Sequence, residues 1–549
     1  MWFARAVLGR LVGMTTSSKR PLRLAAALLF TSLALLTAAP VDAAMVLHRG
    51  NQAEPGTLDP QLSSLAWENA VIGDLFLGLT TEDVAGKPIA GAAESWTTSP
   101  DGLVWTFTLR PGVVWSDGTP VTAGDFVASI QRLLDPKTAA IYASVLYPIK
   151  NAEAANSEKV PLDDVGVHAR DDRTVEITLE TPTPYLLGLL THQTAYPIPR
   201  HVLEKFGADW VKPGNMVSNG PYKLVEWKAH EHIKTVKNPL FYDAANVAID
   251  EVIYYPTDDT NAALNRFRAG ELDVNLGTRG FPASQIPWLM ENMPGQARIT
   301  PMLGSEYIVL NIRRAPFSDM RLRRAVSLCL DRGVLTDKVV RDGQVPAYSF
   351  VPPGIDNYDN AAKLDFIDRT MDERRTEAKQ LLAEAGFGPG KPLTFEYLYM
   401  ISIDSRRSVV AQAAMLKECN IILRLIGNEP KVHYDSVRAG DFTAAQARWG
   451  ADFNDPQTFL FLLETRAGSY NYGGYSSATY DKLVDDGRFT LDLGKRAGIL
   501  ARAEQILLDD SAVVPLSFFS SKNLVAPYIK GFADNAADVN RTRWMRIEK

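Results

Sequence analysis

Apolar and polar positions alternate over residues 103–115 (LVWTFTLRPGVVW). Val104, Thr106 and Thr108 fall on one side, and Trp105, Phe107 and Leu109 on the other. A period of two predicts a half-buried strand, with a turn at Pro111-Gly112. The period then changes. Thr122 and Asp125 have capping-box spacing, Phe126, Ile130 and Leu134 recur at helical spacing, and Asp135-Pro136 ends the helix. Residues 221–238 and 250–256 return to strand periodicity, the first with polar residues on one face. The second half of the chain is patterned differently. It predicts helices over 320–330 and over 372–385 (DERRTEAKQLLAEA), the latter stopped by Gly386 in the C′ position. A strand (395–399, FEYLY), a helix (404–418) and a second strand (420–426, NIILRLI) come after it, an order that implies a crossover onto a parallel neighbour. An antiparallel region is therefore joined to an α/β region, a mixed α+β fold. No repeat and no low-complexity linker separates them, which predicts lobes joined by several crossing strands.

The N-terminus reads as a targeting segment. Lys19, Arg20 and Arg23 precede the apolar run Leu24–Ala39, and Pro40-Val41-Asp42-Ala43-Ala44 offers small residues for cleavage after Ala43. The run has 16 residues, short of the roughly 20 that span a bilayer. No Cys follows it to carry a lipid, and no later segment is apolar enough to cross a membrane. The expected product is an exported chain without a membrane anchor, started at Met1 or Met14. Removing five positive charges and one negative (Arg5, Arg10, Lys19, Arg20 and Arg23 against Asp42) takes the formal net charge from −6 to −10. That balance argues against a nucleic-acid partner, which needs a basic footprint. The two cysteines, Cys329 and Cys419, are compatible with either a pair or two buried thiols. Cys329 lies in an apolar helical pattern, where a small buried hydrophobe is the expected role.

Motifs for catalysis are missing: there is no GxSxG, no P-loop and no HExxH, and no cofactor is implied. His230-Glu231-His232 would place two imidazoles on one face of a strand without a third ligand, which reads as a solvated face rather than a metal site. What stands out is aromatic and Asn/Gly-rich. SYNYGGY (469–475) sets three tyrosines among Gly and Asn, a composition suited to binding surfaces. WGADFNDP (449–456) puts two aspartates on a turn beside Trp449 and Phe453. Local chemistry alone is satisfied by an ordinary surface turn, since Asn and Asp bond their own backbone and Pro stops the next strand.

Residues 92–136 (AAESWTTSPDGLVWTFTLRPGVVWSDGTPVTAGDFVASIQRLLDP) resemble the signature of the bacterial extracellular solute-binding proteins, family 5, which serve ABC importers for peptides, nickel and other solutes. GTLDP (56–60), DLFLGL (74–79), SNGPYKLVEW (218–227), LNIRRAPFSDMRLRRAV (310–326) and PAYSFVPPG (346–354) are similar to further segments of that family, in the same order, so that the resemblance spans nearly all of residues 44–549. It is strongest to the oligopeptide-binding members, in which the pattern Trp-x-Ala-Asp-(Tyr/Phe)-Asn-(Glu/Asp)-Pro carries an aspartate that pairs with the peptide α-amino group. By that correspondence the aspartate is Asp452 and the tryptophan Trp449.

The resemblance implies a two-lobed periplasmic-binding-protein (flytrap) fold of the large cluster. Lobe I would be discontinuous (44–77, 205–300 and 520–549), an extra domain (78–204) would carry the signature, and lobe II would take 301–519. An extended peptide would lie between the lobes as an added strand, with Gly450, Tyr142 and the segment Ser64-Leu65-Ala66 near it and Tyr307 in the cleft wall. The implied setting is a periplasmic, monomeric, non-enzymatic protein that hands small peptides to an inner-membrane ABC permease. Gly450 and Gly304 stand where relatives can carry a disulfide, so no bridge is expected there. Val340, Gln446 and Ser405 stand where relatives carry basic groups for the peptide C-terminus; Arg341, Arg406 and Arg448 are near in sequence but not equivalent. Alternatives within the fold are a murein peptide, an opine-like compound or a metal chelate. Outside it stand an exported hydrolase and a chaperone-like role.

Overall fold

The alternation around Trp105 becomes a strand, Val104–Leu109, in which every second residue is buried. It belongs to a four-stranded antiparallel sheet with Ala93–Thr98, Thr174–Thr178 and Val167–Asp171. The helix Ala123–Leu134 follows the predicted capping box, the Thr122 amide donating to the Asp125 carboxylate at 2.8 Å. Its buried face carries Phe126, Ile130 and Leu134. These features come from a computed structural model that describes residues 44–358 and 362–549. The export segment predicted over 1–43, and cleavage after Ala43, lie outside the described residues.

The main sheet has eleven strands. From edge to edge run Ile421–Asn428, Leu393–Met400, Ala444–Gly450, Ala297–Leu310, Val513–Val525, Val274–Asn275, Val46–Asn51, Glu251–Pro256, His232–Lys237 and Tyr222–Lys228, with Val345–Pro346 paired to Val513–Val525. Leu393–Met400 and Ile421–Asn428 are parallel neighbours around the helix Ile403–Lys417, as the order strand–helix–strand predicted. The helix Met371–Glu384 is followed by Gly386 at φ 83°, a left-handed position that glycine tolerates.

Buried apolar residues form two cores. One draws on residues between Leu47 and Ala297 and again from Leu524 to Met545; the other runs from Leu303 to Leu516. Two long strands, Ala297–Leu310 and Val513–Val525, pass from one core to the other as an antiparallel pair, from Ala297 opposite Leu524 to Val309 opposite Val513. The pair is irregular between Pro301 and Ser305 and between Glu306 and Tyr307. The expected two-lobed mixed fold with crossing strands is what the chain adopts.

Three readings need correction. Cys329 is not a lone buried hydrophobe; it is bonded to Cys419, with Cα atoms 6.5 Å apart. The bridge ties the end of the helix Met320–Leu328 to the end of the helix Ile403–Lys417, a proximity that no local pattern announces. Residues 221–238 are not one strand but a hairpin. His230 sits at its turn with φ 62° and so shares no strand face with His232, which contacts Glu226 at 3.1 Å. Tyr307 lies in the second core, 2 % exposed, its ring edge-on to Phe350 at 5.1 Å. It is therefore packed inside one core and not in the wall of the cavity between the two.

Candidate functional site

Gly450 ends the strand Ala444–Gly450, and the chain then turns through Ala451-Asp452-Phe453-Asn454-Asp455 into the short helix Gln457–Leu460. Hydrogen bonds fix this turn at almost every residue. The Ala451 amide donates to the Leu303 carbonyl at 2.8 Å, and the Asp452 amide to Thr458 Oγ1 at 3.2 Å. Asn454 Oδ1 accepts from the Asp356 amide at 2.8 Å. Asp455 caps the Gln457 amide and is held by Arg496 through two contacts of 2.7 Å, both side chains being buried.

Asp452 differs from all of these. Among the described residues its carboxylate has no hydrogen bond and no ion pair; only its backbone amide is engaged. Its side chain faces a cavity of about 310 Å³. The side chain is half-buried and borders this recess, so the group is partly dehydrated while still reachable. Burial alone pushes its acid up to about 7.

The cavity lies where the two cores meet. Ser64, Leu65, Ala66 and Tyr142 line it from one side, and Gly450, Asp452, Phe453 and Asn454 from the other. The Ser64–Ala66 segment opens the helix Ala66–Leu75 and is shaped by Glu68, whose carboxylate accepts from the amides of Gly56, Ser64 and Leu65 at 3.0, 2.9 and 3.1 Å. Tyr142 packs on His192 with ring centres 5.6 Å apart. Burial first, and the nearby Asp452 charge second, keep its phenol well above the usual range.

Of the residues expected at the site, Ser64, Leu65, Ala66, Tyr142, Gly450 and Asp452 are brought together. Trp449 and Tyr307 are not among the lining residues. Trp449 instead sits edge-on to Phe461 at 5.8 Å and Tyr470 at 5.9 Å, with its indole N–H buried and unpartnered among the described residues. Gly304 and Gly450 are cross-strand partners. A side chain at Gly304 would meet the Phe519 ring at 2.1 Å, so the aromatic occupies the space that a bridging cysteine would need.

Several lining residues carry no sequence signal. Arg49 and Glu82 come from strands, and His192, Asp538 and Arg541 from irregular backbone, all distant in sequence from the Asp452 turn. The cations among them are committed. Arg541 bonds Glu82 at 3.0 Å and Tyr196 at 3.2 Å, while Arg49 bonds Thr542 Oγ1 and the Asn540 carbonyl, each at 2.9 Å. His192 is pushed down to about 4 by burial and by Arg541, so it is neutral at pH 7. Asp538 is pushed up to about 7 by burial and accepts from Asn523 at 3.2 Å. Farther off, Gln446 and Arg448 are both spent on Glu306, each at 2.8 Å. The described residues hold no group of three or more His, Cys, Asp or Glu suited to a metal. The arrangement can therefore accept a cation at Asp452 inside a recess with polar and aromatic walls.

Comparison with known proteins gives a consistent picture. Residues 87–471 match the family model described as bacterial extracellular solute-binding proteins, family 5, middle region. The periplasmic oligopeptide-binding protein OppA of Salmonella typhimurium is 40 % identical over 492 residues, 88 % of this chain and 89 % of that one. The periplasmic murein peptide-binding protein MppA of Escherichia coli is 35 % identical over 533 residues, covering 95 % of this chain and 98 % of its own. The crystal structure of Haemophilus influenzae OppA in complex with RPPGFSPFR superposes with a TM-score of 0.80 at 36 % identity, covering 92 % of this chain and all of the other.

Proposed function

Because this chain belongs to the bacterial extracellular solute-binding proteins of family 5, we propose that it binds oligopeptides in the cavity between its two cores, with the peptide α-ammonium paired to Asp452. The observation that carries this reading is the bare carboxylate at the wall of the recess. An unpaired buried charge is costly, and a protein tolerates it where a partner arrives with the ligand. A peptide ammonium supplies that partner through a charge-assisted hydrogen bond. Around it, the Ser64–Ala66 and Gly450 backbones offer polar groups to an extended main chain. Tyr142 and Phe453 offer aromatic surface that excludes water without demanding one side-chain type.

The crossing pair Ala297–Leu310 and Val513–Val525 is where the two cores would rotate toward each other, lobe I and the extra domain on one side and lobe II on the other. The work is differential affinity for the closed form rather than catalysis. Exported to the periplasm with its signal cleaved near Ala43, the monomer would deliver peptide to an inner-membrane ABC permease. No helix among the described residues is long and apolar enough to cross a membrane. The similarity to MppA keeps a murein peptide as the second reading of the same site.

The test is calorimetry on a double cycle. Asp452→Asn weakens a free-amine tripeptide, N-acetylation of the peptide weakens the wild type to a similar degree, and the two losses do not add because both delete one interaction. Normal binding by Asp452→Asn overturns the assignment. Exclusive binding of a murein tripeptide selects the second reading.

A further inference from the structure

Phe453, the residue after Asp452, does not pack into its own lobe. Its ring lies flat on Tyr185 of the inserted segment, with centres 4.7 Å apart and planes 5° from parallel. Tyr185 opens the short helix Leu186–Leu189, whose Gly188 lines the cavity; a side-chain carbon at Gly188 would stand 3.7 Å from Phe453 Cβ. The guanidinium of Arg496 lies 5.5 Å from the Tyr185 ring centre while holding Asp455. The turn that presents Asp452 is thus bolted to its own lobe by Arg496 and clasped from the opposite lobe by one aromatic ring.

We propose that Tyr185 is a positioning residue for ligand recognition: stacked on Phe453, it holds the Asp452 turn in register with Ser64–Ala66 and seals that flank of the cavity from bulk water. This rests on the reading of Asp452 as the ammonium anchor. A ring removed here opens a path for water to the carboxylate, and a hydrated carboxylate returns toward its ordinary acidity. The effect is therefore legible as a change in the pH dependence of binding, which a merely structural contact would leave alone. The charged and titratable groups around Asp452 are Tyr142, His192, Glu82, Arg49, Asp538 and Arg541 in the cavity, and Asp455 with Arg496 behind the turn. Asp538 is itself pushed up to about 7, and so is the more distant Glu504. The portion of the profile that belongs to Asp452 is the portion lost in Asp452→Asn.

The experiment measures trialanine binding by calorimetry from pH 5 to pH 9 for the wild type, Asp452→Asn, Tyr185→Leu, Tyr185→Phe and Phe453→Leu. The wild type is expected to lose affinity as pH falls through about 7. In Tyr185→Leu that midpoint is expected to move down by about one pH unit or more as the carboxylate rehydrates, with affinity at pH 8 reduced. Tyr185→Phe keeps the ring and the wild-type midpoint, and Phe453→Leu reproduces the shift should Tyr185→Leu fail to fold. An unmoved midpoint in a folded Tyr185→Leu or Phe453→Leu, or a Tyr185→Phe that behaves like Tyr185→Leu, overturns the proposal while the peptide reading stands. If neither trialanine nor longer free-amine peptides bind the wild type, the peptide reading fails and this one with it.

Discussion

Asp452 stays bare while Asn454 and Asp455 beside it are paired, and that contrast separates the two aspartates of its turn. Asp455 is spent on Arg496 and on the Gln457 amide; removing one partner of such a buried pair costs about 3–5 kcal/mol. Asp455→Asn is therefore expected to lower the melting temperature with or without ligand. Asp452→Asn should leave the ligand-free protein at least as stable and weaken a free-amine peptide by about 30-fold or more, the usual loss of about 2–5 kcal/mol when a buried charge is left alone. Calorimetry and thermal melts on the two variants separate the roles. Proton linkage adds a second test. The free protein holds the Asp452 acid at about 7, whereas the proposed pairing requires both the carboxylate and the peptide ammonium. Binding is therefore expected to decline toward about tenfold per unit below that pH and to fall again above about 8, where the peptide amine loses its proton. Stability of the ligand-free protein runs the other way. An acid whose folded value lies above its unfolded one favours folding while protonated, so its contribution falls as pH rises from about 4 to about 7 and is level beyond. Melts between pH 5 and pH 8 should show this slope, and Asp452→Asn should reduce it. The pattern WGADFNDP made both carboxylates visible in the sequence, and family resemblance chose between them. Arg496, which commits Asp455 to a structural pair, lies 41 residues away and leaves no local mark.

Elements built from local rules were legible. The strand around Phe107 and the helix after Thr122 follow from period and cap, and the helix stopped at Gly386 ends where a left-handed residue was needed. What escaped were contacts between elements. The His230 turn broke an apparent strand because three polar residues in an alternating run carry no sign of reversal. Cys329 met Cys419 because two helices end side by side. That bridge closes a separation of 90 residues, and a loop of that size is expected to contribute about 4–5 kcal/mol through the unfolded chain. Replacing both cysteines by serine should lower the denaturant midpoint of the second core, read by urea unfolding against the oxidised wild type. Peptide affinity at low denaturant should change little, since neither cysteine is among the cavity-lining residues. The cavity itself was half legible. Motif segments delivered Ser64–Ala66, Tyr142 and Gly450–Asp452, while His192, Asp538 and Arg541 sit on irregular backbone, where side-chain direction follows no period.

At the scale of the whole molecule, two cores share one sheet and meet around one recess. A ligand that engages both ties their stabilities together: peptide at about 100 times its dissociation constant should raise the unfolding free energy by about 2.7 kcal/mol. The melt should then show one transition where the empty protein is free to show two. A broad peptide pool that never moves the melting temperature would count against peptide binding. The path of the chain through these cores also bears on how the protein comes into being. Leu524 and Val525 complete the first core, and Arg541 and Thr542 reach back to Glu82, Asn69 and Asp74 near the beginning. In the proposed export, whatever leaves the secretion channel first is an unfinished half, obliged to wait through the synthesis and export of the entire second core before its last strand and its buried arginine arrive. During that interval it exposes the edge of Val274–Asn275, whose partner is Val513–Val525, and the empty seat of Arg541 beside Gly73, an opening in which aggregation or capture by a holding chaperone competes with completion.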